Sequence, residues 1–210
     1  MSDIYIVSPH VGSLWQNVQS EFIAKYTREP YKLFQFAVPD KCHHLNALHY
    51  CLTLITRQNP KLDDLIIEMD SDAFPISDNW IAKIKEYLEN HEFTAVQRLE
   101  NPNFYRKIAH PCFCAWYYKT KIDFNWIGRN PYVVGWETRN WKPLNRTNKK
   151  NLHPQRFGCY GSASDKNIIL YHHGCGSRTA QVQHEHYFAR SMQYEEHFWK
   201  DPEKFVSNLI

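Results

Sequence analysis

Asp64-Leu65-Ile66-Ile67-Glu68-Met69-Asp70-Ser71-Asp72-Ala73-Phe74-Pro75 is the stretch that decides the fold. Leu65 to Met69 is short, apolar and rich in branched residues, the pattern of a strand covered on both faces. It ends in two carboxylates with one residue between them, and Pro75 halts further pairing soon after. Open α/β sheets bind their ligands at the carboxyl ends of such strands. Two hard oxygen donors there suit Mn²⁺ or Mg²⁺, and an ion that keeps open positions suits a diphosphate. The competing reading is that Asp70 and Asp72 merely open a loop.

Outward from that stretch the chain alternates. Ile4 to Val7 reads as a strand ending at Ser8-Pro9-His10. Ser13 can cap a helix with Leu14, Val18, Phe22 and Tyr26 on one face. Lys32 to Val38 reads as a second strand, ending at Pro39-Asp40. A second helix covers about 43–58, with Leu45, Leu48, Leu52 and Ile55 as its stripe. After the acidic strand, Ser77 or Asp78 can cap a third helix bearing Trp80, Ile81, Ile84, Tyr87 and Leu88. Residues 93–97 form a fourth strand. This order predicts an α/β fold whose central sheet is mostly parallel and flanked by helices. Residues 1–99 and 100–210 then make two halves of one domain, which the family likeness given below implies to be nucleotide-binding and acceptor-side respectively. In the second half, Cys112 to Tyr118 and Ile168 to Tyr171 read as strands, and the basic segment 139–156 as a functional loop.

The bulk properties bound the possibilities. At 210 residues, 43% hydrophobic and 15% aromatic, the chain can build a sizeable core and is no disordered polymer. A net charge of +3 suits a small anionic ligand and is too weak to imply nucleic acid. No segment has the length of a membrane span and the first residues do not form a signal peptide, so the expected location is cytoplasmic. None of the six Cys falls in a Cys-x-x-Cys spacing, which predicts reduced, buried thiols.

Other groups compete for roles. His172-His173-Gly174 follows the last strand. A neutral imidazole there can complete a metal shell, and adjacent residues point to opposite faces, so one of the pair serves and the sequence does not say which. Arg178, just beyond, offers a cation for phosphate oxygens. Glu137 follows an apolar run beside Trp136 and is a candidate base for an acceptor hydroxyl, with Asp165 its rival. Asp40 can accept the N3–H of a uracil ring. Ser8 and His10 line the same sheet edge, and Arg98 can face a diphosphate or an acceptor. His43, His44 and His49 lack the spacing of a zinc site and read as surface or polar packing groups. An aspartyl-phosphatase reading fails because Phe74 stands where that pattern wants Thr or Val.

The order of elements resembles a GT-A glycosyltransferase. The likeness rests on the βαβαβ half, Asp70-Ser71-Asp72, Gly135-Trp136-Glu137 and the strand ending in His172-His173-Gly174. The phrases around His44, Glu68 to Pro75 and His110-Pro111-Cys112 are similar to a compact group of such enzymes, one of which acts in chlorella-virus capsid glycan synthesis. The resemblance implies a hexose of glucose or rhamnose type moved from a UDP-sugar donor to a glycan or glycoprotein acceptor. It implies Mn²⁺ or Mg²⁺ on Asp72, Asp70 and a late His, an inverting base at Glu137, and, for a viral enzyme, the host cytoplasm. Thr138 departs from the acid pairs common there. The alternatives from other classes are a metal-dependent nucleotidyl or phosphoryl transferase and a non-catalytic carbohydrate-binding module.

Overall fold

The computed structural model describes residues 2–10, 14–39, 43–99, 107–127, 130–146, 158–162, 167–174 and 198–209. Its first half alternates as the sequence implies: β1 (Ile4–His10), α1 (Trp15–Tyr26), β2 (Lys32–Ala37), α2 (His44–Arg57), β3 (Leu65–Met69), β4 (Ala73–Pro75), α3 (Trp80–Asn90) and β5 (Phe93–Leu99). The second half is mostly strand: β6 (Lys107–Tyr117), β7 (Phe124–Ile127), β8 (Asn130–Val133), β9 (Trp141–Arg146), β10 (Gly158–Gly161) and β11 (Ile168–His172), then a short helix α4 (Pro202–Ser207). Among the described residues, nine strands form one mixed sheet in the order β2-β1-β3-β6-β5-β9-β10-β11-β4, and β7 and β8 form a separate hairpin.

The parallel core is β2-β1-β3. Beyond it the expectation of a mostly parallel sheet fails. β5 does not pair with β3; β6 enters between them, antiparallel to both. Only β5 and β9 are parallel among the remaining pairs. The physical reason lies in β6. From Ile108 to Trp116 every residue is buried, so the strand can occupy a central place. Pro111 hid its first half from a periodicity reading. The proline sits where the β5 register jumps from Ala95↔Cys114 to Val96↔His110, and such irregularities tolerate a residue without an N–H. The basic segment read as a loop also contributes β9.

Side chains alternate across β3. Leu65, Ile67 and Met69 join Ile4, Ile6 and the α3 residues Trp80, Ile81 and Ile84 on one face. Ile66 packs on the other with Tyr5, Val7 and the α2 residues Leu48, Cys51 and Ile55. A third cluster is aromatic and gathers Trp15, Phe22, Phe74, Tyr171 and Phe198 around β4 and β11. Helix boundaries differ in detail from expectation. Leu14 is exposed and the α1 face is instead Trp15, Val18, Gln19, Phe22 and Ile23, while Ser13 lies outside the described residues. Neither Ser77 nor Asp78 caps α3; Asn79 is the N-cap, and Asp78 pairs with Arg28 on the surface. Cys51, Cys112 and Cys114 are free and buried, in keeping with reduced thiols, and Cys159 is buried as well; Cys42 and Cys175 lie outside the described residues. Among the described residues no helix is long and apolar enough to cross a membrane.

β4 stands at the far end of the sheet order, yet the short turn Asp70 to Asp72 joins it directly to β3. The sheet therefore curls until its last strands return to its middle. β10 and β11 hold that return in place, and they meet closely at Gly161. A Cβ there would lie 1.7 Å from the Asn167 carbonyl oxygen, which is backbone and cannot turn aside. Gly161→Ala should destabilise the fold by at least about 1–3 kcal/mol, the usual scale of overpacking, read as a lowered thermal midpoint.

Candidate metal centre

Strand β3 delivers Asp70 at its carboxyl end. The Asp70 N–H donates to the Cys112 carbonyl at 3.1 Å, and the Ala73 N–H closes the turn onto the Asp70 carbonyl at 2.9 Å. β4 then pairs with β11, with Ala73 opposite His172, and the His173 N–H donates to the Asp72 carbonyl at 2.9 Å. Two segments a hundred residues apart thus meet through ordinary strand pairing. Asp70, Asp72 and His172 present ligand atoms that all lie within 4.8 Å of one another. His172 Nε2 is 3.6 Å from Asp70 Oδ2 and 3.5 Å from Asp72 Oδ1, and the Asp72 and His172 side chains are almost wholly buried.

The electrostatics are those of a gathered site. Burial alone would raise Asp70, but His44 and His172 beside it bring its carboxyl well below the ordinary 3.8. Asp72 is likewise raised by burial and carried below its usual value by His172. Burial would lower His172, yet Asp72 and Asp70 leave it above 6.5. His44 was missed by the sequence reading. It is the first residue of α2, and its Nε2 lies 3.3 Å from Asp70 Oδ1. Spacing along one helix does not reveal it, because the relevant pairing is between a helix start and a strand tip.

The residues present fit a divalent ion. His172 Nε2 is buried and has no hydrogen-bond partner, although it faces two carboxylates. Its distances to them are too long for hydrogen bonds. They are slightly wider than the roughly 3 Å edge of an octahedron with bonds of about 2.1 Å, so a small inward movement completes the set. One imidazole and two carboxylates, with room for further oxygens, suit Mn²⁺ or Mg²⁺.

Gln19 holds the turn and was also missed, since glutamine on a helix reads as surface. It is fully buried, and its Nε2 donates to the carbonyls of Asp70 at 2.8 Å and Ala73 at 2.7 Å. Gln35 Nε2 in turn donates to Gln19 Oε1 at 2.9 Å. Gln19→Leu should cost about 1–3 kcal/mol by taking a donor from both carbonyls, of which the Asp70 carbonyl keeps the Ala73 N–H. It should also weaken binding of Mn²⁺ while leaving every ligand side chain in place. Thermal denaturation and metal titration on the same sample check both.

The other expected residues fall differently. His173 does not join the centre. Its ring packs on Trp15 at 4.4 Å, and Nδ1 hydrogen-bonds the Tyr171 hydroxyl at 2.8 Å, so of the two neighbours only His172 faces the carboxylates. Ser8 is buried and His10 half-buried at the end of β1, on the edge where β3 also ends. Arg98 reaches the centre: Nη2 lies 3.2 Å from His172 Nδ1 and Nη1 lies 3.3 Å from His110 Nε2. Burial, with Arg98 alongside, holds His110 well below 6.5. Asp40, Asp165 and Arg178 lie outside the described residues.

Glu137 is not brought to the acidic turn. It is exposed in the segment between β8 and β9, which is tied down by Arg139 to Glu92 and the Thr120 carbonyl and by Asn140 to the Asn90 carbonyl. These partners lie at the edge where β5 begins. Arg98 and Asp70 lie where β5 and β3 end, and the six residues from Phe93 to Arg98 alone span about 17 Å.

No protein-family model matches the sequence, and neither does any curated protein. Among solved structures the chain is similar to A197 from STIV, at 14% identity and a TM-score of 0.45, over 89% of this chain and 100% of that one. It is also similar to a glycosyltransferase involved in the glycosylation of the major capsid of PBCV-1, at 14% identity and a TM-score of 0.35, over 54% of this chain and 59% of that one.

Proposed function

We propose that this chain is a metal-dependent glycosyltransferase of the GT-A type, acting in the cytoplasm. It would move a hexose from a UDP-sugar to a hydroxyl of a glycan or glycoprotein acceptor. The observation that carries this reading is the meeting of Asp70, Asp72 and His172 at the carboxyl end of β3, beside the parallel strands of an α/β sheet. Mn²⁺ or Mg²⁺ bound there neutralises charge that builds on a leaving diphosphate. Asp70 and Asp72 supply oxygen ligands and His172 a nitrogen. His44 favours the ionised form of Asp70, the form an ion needs.

Ser8 and His10 stand on the edge where the nucleoside would lie, and Asp40 is proposed to accept the uracil N3–H. Arg98 and Arg178 are proposed for the diphosphate. Glu137 is given no part in the chemistry, because its position offers no support for a base at the reacting centre. The test is incubation with a panel of UDP-sugars, Mn²⁺ and acceptor glycans. The expected result is UDP release that EDTA abolishes. No UDP release from any donor with acceptor present contradicts the proposal, and pyrophosphate release from a nucleotide would point to nucleotidyl transfer instead.

A further inference from the structure

The chain has seven tryptophans, and six of them pack into or against the three core clusters. Trp126 belongs to none of these clusters and is left half-buried. It stands on β7, two residues past the buried Phe124 and on the same face of the hairpin. Phe124 turns into the core against Trp116, but by Trp126 the hairpin has outrun the core and reaches the start of α2. There the indole Nε1–H donates to His43 Nδ1 at 3.0 Å, with the two rings edge to face and 4.5 Å between centroids. That bond lies at the exposed surface. A large amphipathic ring, held in one orientation and not spent on the core, suits a ligand with a flat apolar face and a polar rim.

The position of the ring in the fold narrows the ligand. His44, the residue after His43, lies 3.3 Å from Asp70, so the indole and the metal centre flank the same helix start. In the sheet, β1 and β2 lie on one side of β3, and β6 lies on the other. The nucleoside is proposed for the β1 side, over Ser8 and His10. The hairpin packs with β8 against β6 and β7 against α2. It thus stands on the β6 side of the ion, away from the nucleoside. The C–H groups of a pyranose make a flat, weakly positive face that matches the negative face of an indole, while the hydroxyls stay at the edge.

We propose that Trp126 is the platform for the acceptor sugar. The indole carries the apolar face of one pyranose ring and so presents that sugar beside the metal centre. His43 is a positioning residue that fixes the indole through Nδ1. The acceptor role rests on the glycosyltransferase reading; the sugar platform itself does not.

Nitrogen-15 NMR of the indole N–H groups tests this, with the Trp126 signal assigned by its loss in Trp126→Phe. The probes are methyl glycosides of glucose, galactose, mannose and rhamnose. The expected result is a saturating shift at Trp126 with at least one of them, retained when UDP and Mg²⁺ are added. Saturation transfer to the C–H protons of the same glycoside gives the second readout. Trp126→Ala should bind it about ten-fold more weakly, the scale of one aromatic stacking contact, and Trp126→Phe, which keeps a ring, should lose less. Both variants should melt close to wild type, because Trp126 serves no core cluster; if Trp126→Ala does not fold, the wild-type shift and Trp126→Phe still decide. No shift at Trp126 with any of these glycosides, or equal binding by a folded Trp126→Ala, overturns the platform. A shift that UDP and Mg²⁺ abolish puts Trp126 under the nucleotide and overturns the acceptor assignment. Glycoside binding at Trp126 without UDP release from any UDP-sugar overturns the transferase reading and leaves the sugar platform standing.

Discussion

Asp72→Asn should lower affinity for Mn²⁺ by about 100-fold or more while the chain stays folded. Loss of a group that merely orients a metal ligand already costs 10- to 100-fold, and Asp72 is proposed as a ligand itself. The substitution preserves shape and removes one charge. Asp72 is buried at 1% exposure with Oδ1 3.5 Å from His172 Nε2, so no surface carboxylate can move in to replace it. Its backbone carbonyl still accepts the His173 N–H, so the pairing of β4 with β11 survives. Metal-dependent UDP release should fall in parallel. Titration followed by electron paramagnetic resonance, with a melting curve as the folding control, checks this. Wild-type affinity in a folded variant would remove Asp72 from the centre.

Glu68→Gln should stabilise the protein, and by more at higher pH. Glu68 is wholly buried on β3, and neither carboxyl oxygen has a hydrogen-bond partner. Burial first, and then the nearby Asp70 charge, push its carboxyl well above 4.5. The sign follows from proton linkage. Above 4.5 the unfolded chain releases this proton while the folded chain keeps it, so each further pH unit costs about 1.4 kcal/mol of stability until the folded carboxyl also ionises. Glutamine resembles the protonated acid and does not titrate, so the loss disappears. Denaturant melts of both proteins between pH 5 and 8 should give curves that diverge as pH rises, with the variant above. Parallel curves would mean that Glu68 is ionised in the folded protein.

Much of this architecture is written locally. Leu65 to Met69 declares itself because a strand covered on both faces must be apolar throughout, and Asp70 and Asp72 stand out because they end it. The third strand's partner was not legible. Whether β5 or β6 lies beside β3 depends on long-range pairing, and Pro111 disguised β6 as something shorter. The centre divides in the same way. Asp70, Asp72 and His172 belong to motifs with a chemical signature, whereas Gln19 and His44 matter only through what the fold lays against them. Glu137 belongs to a suggestive local motif whose neighbours Arg139 and Asn140 are tied to the edge where β5 begins. Glu68 passed as one more member of an apolar run, and only its burial reveals it as an acid.

The most direct test is a crystal grown or soaked with Mn²⁺ and UDP, with anomalous scattering recorded for manganese. The account predicts one strong peak about 2.0–2.6 Å from side-chain atoms of Asp70, Asp72 and His172, with the UDP phosphates on its open side. A peak elsewhere, or none at this position at millimolar Mn²⁺, would contradict it.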